Sequence, residues 1–276
     1  VSATWDDDRP KPDLRIGPGA RVLATLRAIG IVLVLVLAVI VVGIVRLIER
    51  AGGPLFRPVS PGLNRLTLRT ALLITGVRLK QRGRPMRGGG ALVSNHVSWL
   101  DILVLNSLMR VTFVAKDEVS RWPGVGIVVR LAGTVFIKRD RREARAQIDL
   151  FLGHLQSGHK LMFFPEGTST DGQRVVPFKT TLFAAYFDDS LRDVMKVQPV
   201  TILYHAPEGH DPRFYGWWGD MDLGPHLMAV LGTMPQGTAE VVFHAPVRVA
   251  DFKDRKALAA YCEAAVRGPV EAALAD

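Results

Sequence analysis

One stretch constrains this chain before any other: residues 29–45, IGIVLVLVLAVIVVGIV, carry no charged and no strongly polar side chain. Their number is close to the roughly 17–25 residues that span the hydrocarbon core of a bilayer. Arg21 and Arg27 precede the run, and Arg46 and Arg50 follow it. A cleaved signal sequence would end at a small-residue cleavage site, whereas this run continues into RLIERAGGPLF. A core helix so uniformly apolar and β-branched is rare. The run therefore predicts membrane insertion. The basic residues after it (Arg46, Arg50, Arg57, Arg65 and Arg69) favour a body on the cytoplasmic side. The preceding flank is basic too. A segment that enters and stays in one leaflet beside a partner helix would satisfy both flanks.

Residues 63–75, LNRLTLRTALLIT, supply such a partner. Leu66, Leu73 and Ile74 recur at helical spacing, while Arg65 and Arg69 lie four apart on another face, as in a basic amphipathic helix at a membrane surface. Pro54, Pro58 and Pro61 mark the link between the two apolar elements. The expected organisation is a basic, flexible tail over residues 1–28, a two-helix membrane-anchoring region over 29–76, and a catalytic α/β domain over 77–276. The net charge of +9 suits anionic lipid, a phosphorylated ligand or nucleic acid, and no nucleic-acid recognition motif is visible. Cys262 stands alone, which excludes an intrachain disulfide and a cysteine zinc cluster; its apolar neighbours predict a buried small hydrophobe.

From Val77 onward the pattern alternates. Short apolar runs at 77–81, 91–94, 111–116, 134–138, 161–164, 197–204 and 239–249 predict strands. Helical stretches fall between and after them, near 98–109, 124–132, 141–156, 179–187 and 253–274. Strands separated by helices of this length define an α/β fold with a mixed, largely parallel sheet flanked by helices. In such sheets ligands gather at loops after the strand C-terminal ends.

Three polar constellations sit at those ends. In SNHVSWLD, His96 and Asp101 follow the strand 91–94. On one continuous helix a five-residue step would set them about 140° apart. They meet only if His96 sits in the loop and Asp101 in the first helical turn, with Ser98 as N-cap of an S-x-x-D capping box. Such a pair suits proton abstraction from a hydroxyl, the carboxylate fixing the imidazole tautomer. In KLMFFPEGTSTDG, Glu166 follows a strand and the rigid Pro165, and Gly167 lets backbone approach a ligand. In GTVFIKRD, Arg139 at a strand end can clamp an anion bidentately, with Lys138 on the opposite face.

Together these segments resemble the glycerolipid acyltransferase family. Its signatures are matched here by Asn95-His96 with Asp101, by Gly133 with Phe136, Ile137 and Arg139, by Phe164-Pro165-Glu166-Gly167-Thr168, and by Pro199-Val200, in order over roughly residues 75–205. The resemblance implies that His96 deprotonates an acceptor hydroxyl, Asp101 orients it, and the hydroxyl attacks the thioester of acyl-CoA or acyl carrier protein, with no bound cofactor and no metal. It implies that Arg139, Lys138, Glu166, Gly167 and Thr168 bind the acceptor, with Asn95, Gly167 and Pro199 near the oxyanion and acyl donor. The partners are then a lipid bilayer, a lysolipid and the acyl donor, at a bacterial inner membrane with the catalytic domain facing the cytoplasm. The main expected acceptor is 1-acyl-sn-glycerol-3-phosphate, giving phosphatidic acid. The alternative is lyso-ornithine lipid or another lyso-aminolipid, and a catalytically inactive membrane-surface scaffold is the alternative from another class. Ser169 stands where the family often has an arginine, and Thr180 and Thr181 where a glycine often follows Lys179. Both departures, with Trp217-Trp218-Gly219-Asp220-Met221 and Pro225-His226-Leu227, resemble the bacterial lyso-ornithine-lipid branch. Trp217 and Trp218 fit a lipid interface, core packing or a lid.

Overall fold

The computed structural model describes residues 5–53, 56, 58–116, 134–137 and 144–275. Helix α1 (Pro18–Glu49) contains the whole apolar run and starts well before it, with Pro18 in its first turn. Part of the expected tail is therefore helix. The residues before it lie on the body: Leu14 and Ile16 pack against a core cluster. At 32 residues α1 is about 48 Å long. It exposes a stripe of large apolar side chains, including Val32, Leu33, Val36, Leu37, Ile40, Ile44, Leu47 and Ile48. Among the described residues it is the one helix long and apolar enough to cross a membrane.

Helix α2 (Ser60–Thr75) packs along α1, and Gly76 ends it in the left-handed region that glycine favours. The first turn of α2 lacks a side-chain cap of its own. Glu49, at the end of α1, supplies the missing acceptor: its Oε1 takes the N–H groups of Val59 (2.8 Å) and Ser60 (2.9 Å). Arg46 closes on the same carboxylate at 3.2 Å.

Behind the hairpin stands an eight-stranded sheet. Its strands are β1 (Arg78–Arg82), β2 (Gly90–Ser94), β3 (Thr112–Lys116), β4 (Val135–Ile137), β5 (Lys160–Phe163), β6 (Lys196–His205), β7 (Thr238–Phe243) and β8 (Val247–Arg248). The order is β1-β7-β6-β2-β5-β3-β4, with β8 also paired to β6. Every pairing is parallel except β6 with β7 and β6 with β8. The run 239–249, read as one strand, is thus two. Pro246, which cannot donate to a ladder, falls in the break. Pro199 lies where β6 passes from β8 to β7, and its carbonyl accepts the His244 N–H at 3.1 Å.

β2 is central and buried along its whole length, as a parallel strand covered on both faces requires. Its alternation divides the core. Leu92 faces α2 and helix α3 (Leu100–Leu108), while Ala91 and Val93 face helices α4 (Ala144–Gln156) and α6 (Arg255–Ala275). Cys262 is fully buried in the second cluster, and burial pushes its thiol up to about 12. The stretch 179–187 forms a 3-10 helix (Thr180–Phe187) rather than an α-helix. The expected helix at 124–132 lies outside the described residues.

Helix α5 (Leu223–Gly232) was hidden in the sequence because Gly224 and Pro225 open it. It packs on the N-terminal half of α1. A Cβ at Gly232 would lie 2.8 Å from the Ala20 carbonyl oxygen, so glycine permits the close approach. Arg27 donates from Nη1 to the carbonyls of Leu231 and Thr233, both at 2.9 Å, and so satisfies the end of α5. Glu49→Ala should leave the first amides of α2 without their acceptor. A loss of about 1–2 kcal/mol is expected, read as a melting temperature lowered by a few degrees in detergent; an unchanged melt would show that the clamp contributes nothing.

Candidate active site

The chain leaves β2 at Ser94 and is held at once by Asn95. Its Nδ2 donates to the Ile202 carbonyl (2.9 Å), and its Oδ1 accepts the Ile202 N–H (2.8 Å). The side chain, expected near the oxyanion, pins the end of β2 to β6. Pro199, expected in the same vicinity, sits inside the sheet level with Val93.

His96 follows in the loop, and α3 begins at Leu100. His96 Nδ1 lies 2.6 Å from Asp101 Oδ2. The geometric requirement that the spacing imposed, loop histidine and first-turn aspartate, is met. The capping detail differs: no side chain caps α3, and the Ser98 hydroxyl is buried without a partner. The reach-back half of the motif does form, because Asp101 Oδ2 accepts the N–H groups of Val97 (2.8 Å) and Ser98 (3.1 Å). Asp101 Oδ1 accepts the Tyr204 hydroxyl at 2.8 Å. Asp101 is fully buried, and these donors offset the cost of placing a carboxylate there.

Tyr204 was missed. The signal was available: Val200, Ile202 and Tyr204 alternate on the face of β6 that meets α3. Burial first, then the neighbouring Asp101, hold its phenol well above the ordinary range, so it remains a donor.

The imidazole of His96 stacks on Phe164, with centroids 4.2 Å apart and planes 17° from parallel. With Nδ1 committed to Asp101, Nε2 is the nitrogen left for an incoming hydroxyl. The side chain is about a quarter exposed (25%) beside a fully buried partner. An imidazole so held can accept a proton while the carboxylate stabilises the resulting cation.

Glu166, expected to bind the acceptor, follows β5 in the next loop. It is 1% exposed. Its Oε2 accepts the His96 N–H at 2.9 Å and its Oε1 the Val176 N–H at 3.0 Å. The carboxyl thus joins the two motif loops to each other. Burial pushes it up to about 8, against the lowering effect of both backbone bonds. Thr170 adds a second tie, its N–H reaching the His96 carbonyl at 3.0 Å.

Gly167 sits at φ +70°, and its N–H donates to the Phe164 carbonyl (3.0 Å), so that amide is already engaged. A Cβ here would lie 2.6 Å from Lys179 Nζ. The glycine therefore lets an ammonium lie against the turn. Thr168 Oγ1 accepts the Trp5 N–H (3.1 Å), and Arg9 reaches Asp171 at 2.7 Å. The segment before α1 thus borders this turn, a contact no local pattern could announce. Arg139 and Lys138 lie outside the described residues. β4, which precedes them, runs parallel to β3, so its C-terminal end shares the sheet edge that carries His96.

The loop before α5 leans on the same site. Trp217 donates its N–H to the Val97 carbonyl (2.9 Å). Trp99 Nε1 donates to His226 Nδ1 (3.0 Å), while His226 Nε2 meets the Phe214 carbonyl (3.2 Å). Burial brings His226 down to about 4, which keeps it neutral and able to make both bonds. Trp218 is buried, which favours packing over a lipid-interface place.

This site and sheet belong to a class of proteins that comparison identifies. Residues 76–203 match the model of the acyltransferase family. A lyso-ornithine lipid O-acyltransferase of Rhodobacter capsulatus is 52% identical over 95% of this chain and 95% of its own. A 1-acyl-sn-glycerol-3-phosphate acyltransferase of Neisseria gonorrhoeae is 33% identical over 68% of this chain and 72% of its own. The crystal structure of the Thermotoga maritima 1-acyl-sn-glycerophosphate acyltransferase shares the fold, with a TM-score of 0.55 at 22% identity over 91% of this chain and 98% of its own. The chain belongs to the acyltransferase family, among its lysolipid acyltransferases.

The raised Glu166 carboxyl has a pH consequence. Between the usual glutamate value near 4.5 and about 8, the folded chain holds a proton that the unfolded chain has released. Stability should therefore fall as pH rises through that window. Denaturation midpoints measured from pH 5 to 8 should show this slope, and it should flatten in Glu166→Gln. An equal slope in both proteins would remove Glu166 as its source.

Proposed function

We propose that the chain transfers a fatty acyl group from an acyl thioester, carried on CoA or acyl carrier protein, to the free hydroxyl of a lyso-ornithine lipid. The observation that carries the chemistry is the 2.6 Å contact between His96 Nδ1 and Asp101. His96 Nε2 takes the hydroxyl proton as the hydroxyl oxygen bonds to the thioester carbonyl carbon. The tetrahedral intermediate then collapses, the carbon–sulfur bond breaks, and the leaving thiolate takes the proton back from the imidazolium. Asp101 holds the tautomer and stabilises the transient cation; Tyr204 and the Val97 and Ser98 amides hold Asp101.

For the acceptor, the likeness to the Rhodobacter capsulatus enzyme supports the aminolipid over 1-acyl-sn-glycerol-3-phosphate, the acceptor expected first from the sequence. Ser169, where an arginine would suit a phosphate monoester, points the same way. Lys179, beside the Gly167 turn, and Arg139 with Lys138 are proposed to meet the acceptor's carboxylate. The apolar stripe of α1 supports anchorage in a bilayer, and the arginines after the apolar run, Arg46, Arg50, Arg57, Arg65 and Arg69, support a body on the cytoplasmic side of a bacterial inner membrane.

Purified full-length protein, offered acyl-CoA with lyso-ornithine lipid or with lysophosphatidic acid, should form the diacyl aminolipid at least about ten-fold faster, with products identified by mass. Equal or reversed rates would defeat the acceptor assignment. No acyl transfer to either would leave the inactive scaffold standing, and thiol release that ignores the acceptor would mark a thioesterase. His96→Ala should lower kcat by about 10³-fold with the melting profile retained; normal turnover in that variant would defeat the mechanism.

A further inference from the structure

A cavity of about 1050 Å³ opens at the end of the sheet opposite His96. Its floor is set by the starts of parallel strands, Lys160 of β5, Thr112 of β3 and Thr134 just before β4, and its wall by the last turns of α1. Four cations are among its lining residues: Arg50, Arg110, Lys160, and Arg46 in its pairing with Glu49. No carboxylate lines it among the described residues. Lys160 is partly buried, and its ammonium loses hydration there. A chamber that sets Arg50, Arg110 and Lys160 together, with no carboxylate among its described lining residues, suits a ligand that brings negative charge.

We propose that this cavity binds the phosphate headgroup of an anionic bilayer phospholipid, as a site separate from the reacting acceptor. The lipid class follows from the wall. Val39, Val42 and Leu47 of α1 line the cavity, and the neighbouring Val36, Ile40 and Ile44 belong to the exposed apolar stripe. A headgroup seated among the cations leaves its acyl chains along that stripe. The separateness follows from the register. Gly90 is level with Lys160, and about 13 Å of strand lies between Gly90 and Ser94, before the loop that carries His96. The reacting hydroxyl of a lysolipid is only a few bonds from its headgroup, so one molecule does not reach both places. The inference rests on the reading of α1 as bilayer-embedded.

The test is partition of the full-length protein between buffer and vesicles of phosphatidylcholine, with or without phosphatidylglycerol. Each juxtamembrane cation contributes about five-fold to anionic-lipid affinity, so Arg110→Gln/Lys160→Gln should lower the phosphatidylglycerol preference by ten-fold or more. Lys253→Gln/Lys256→Gln removes the same charge from exposed positions just before and at the start of α6 and should change it little. Equal loss in both double variants would overturn the site in favour of diffuse surface attraction. So would a preference abolished by inorganic phosphate at matched ionic strength, or a KM for acyl-CoA raised in detergent by Arg110→Gln/Lys160→Gln. Failure to bind even phosphatidylcholine would instead refute the embedded α1, and melting curves of each variant separate misfolding from lost binding.

Discussion

The buried carboxylate of Asp101 is the point on which the site depends. Its Oδ2 gathers His96 and the two amides that follow it, and its Oδ1 reaches across to Tyr204 on β6. A loop would ordinarily be free to choose its path out of a strand. Here each donor that Asp101 accepts removes one freedom, so imidazole orientation, loop curvature and helix start are settled by one group. The cost of burying that group is met by the same bonds that give the loop its shape.

Around it the sheet works as a frame with one busy edge. β2, β5, β3 and β4 run parallel and therefore deliver their following loops to the same side. Asn95 ties one of those loops to β6, and Glu166 ties two of them together. The order of elements along the chain matters less than this convergence. Segments far apart in sequence, from Trp5 to Trp217, meet within one loop cluster.

Much of this was legible in the sequence because it is local. The alternation of apolar runs places the strands, the uninterrupted run at 29–45 marks α1, and the five-residue step from His96 to Asp101 permits only a loop-then-helix geometry. What escaped was non-local. Whether Asn95 turned its amide outward or to Ile202, and whether Glu166 met a ligand or the His96 amide, depends on which backbone arrives beside them in space. The same holds for Ser98, a good N-cap by pattern, whose hydroxyl is left unpartnered while Asp101 does the bonding. α5 was lost to its Gly-Pro opening. The break between β7 and β8 was readable in Pro246 but overridden by the β-branched residues around it.

The packing of α1 carries one further meaning. The helix is joined to the body along its length: by Arg27 and the Gly232 contact to α5 near its start, and by α2 and the Glu49 clamp toward its end. Held at both ends, it is a keel and not a tether. Whatever plane the keel takes up, the sheet follows at a set angle, and the mouth beside His96 keeps a constant height and heading. With α1 in a bilayer, as proposed, substrate encounter becomes a problem in two dimensions, in which lipids drift past a fixed aperture and the body has no search of its own to make.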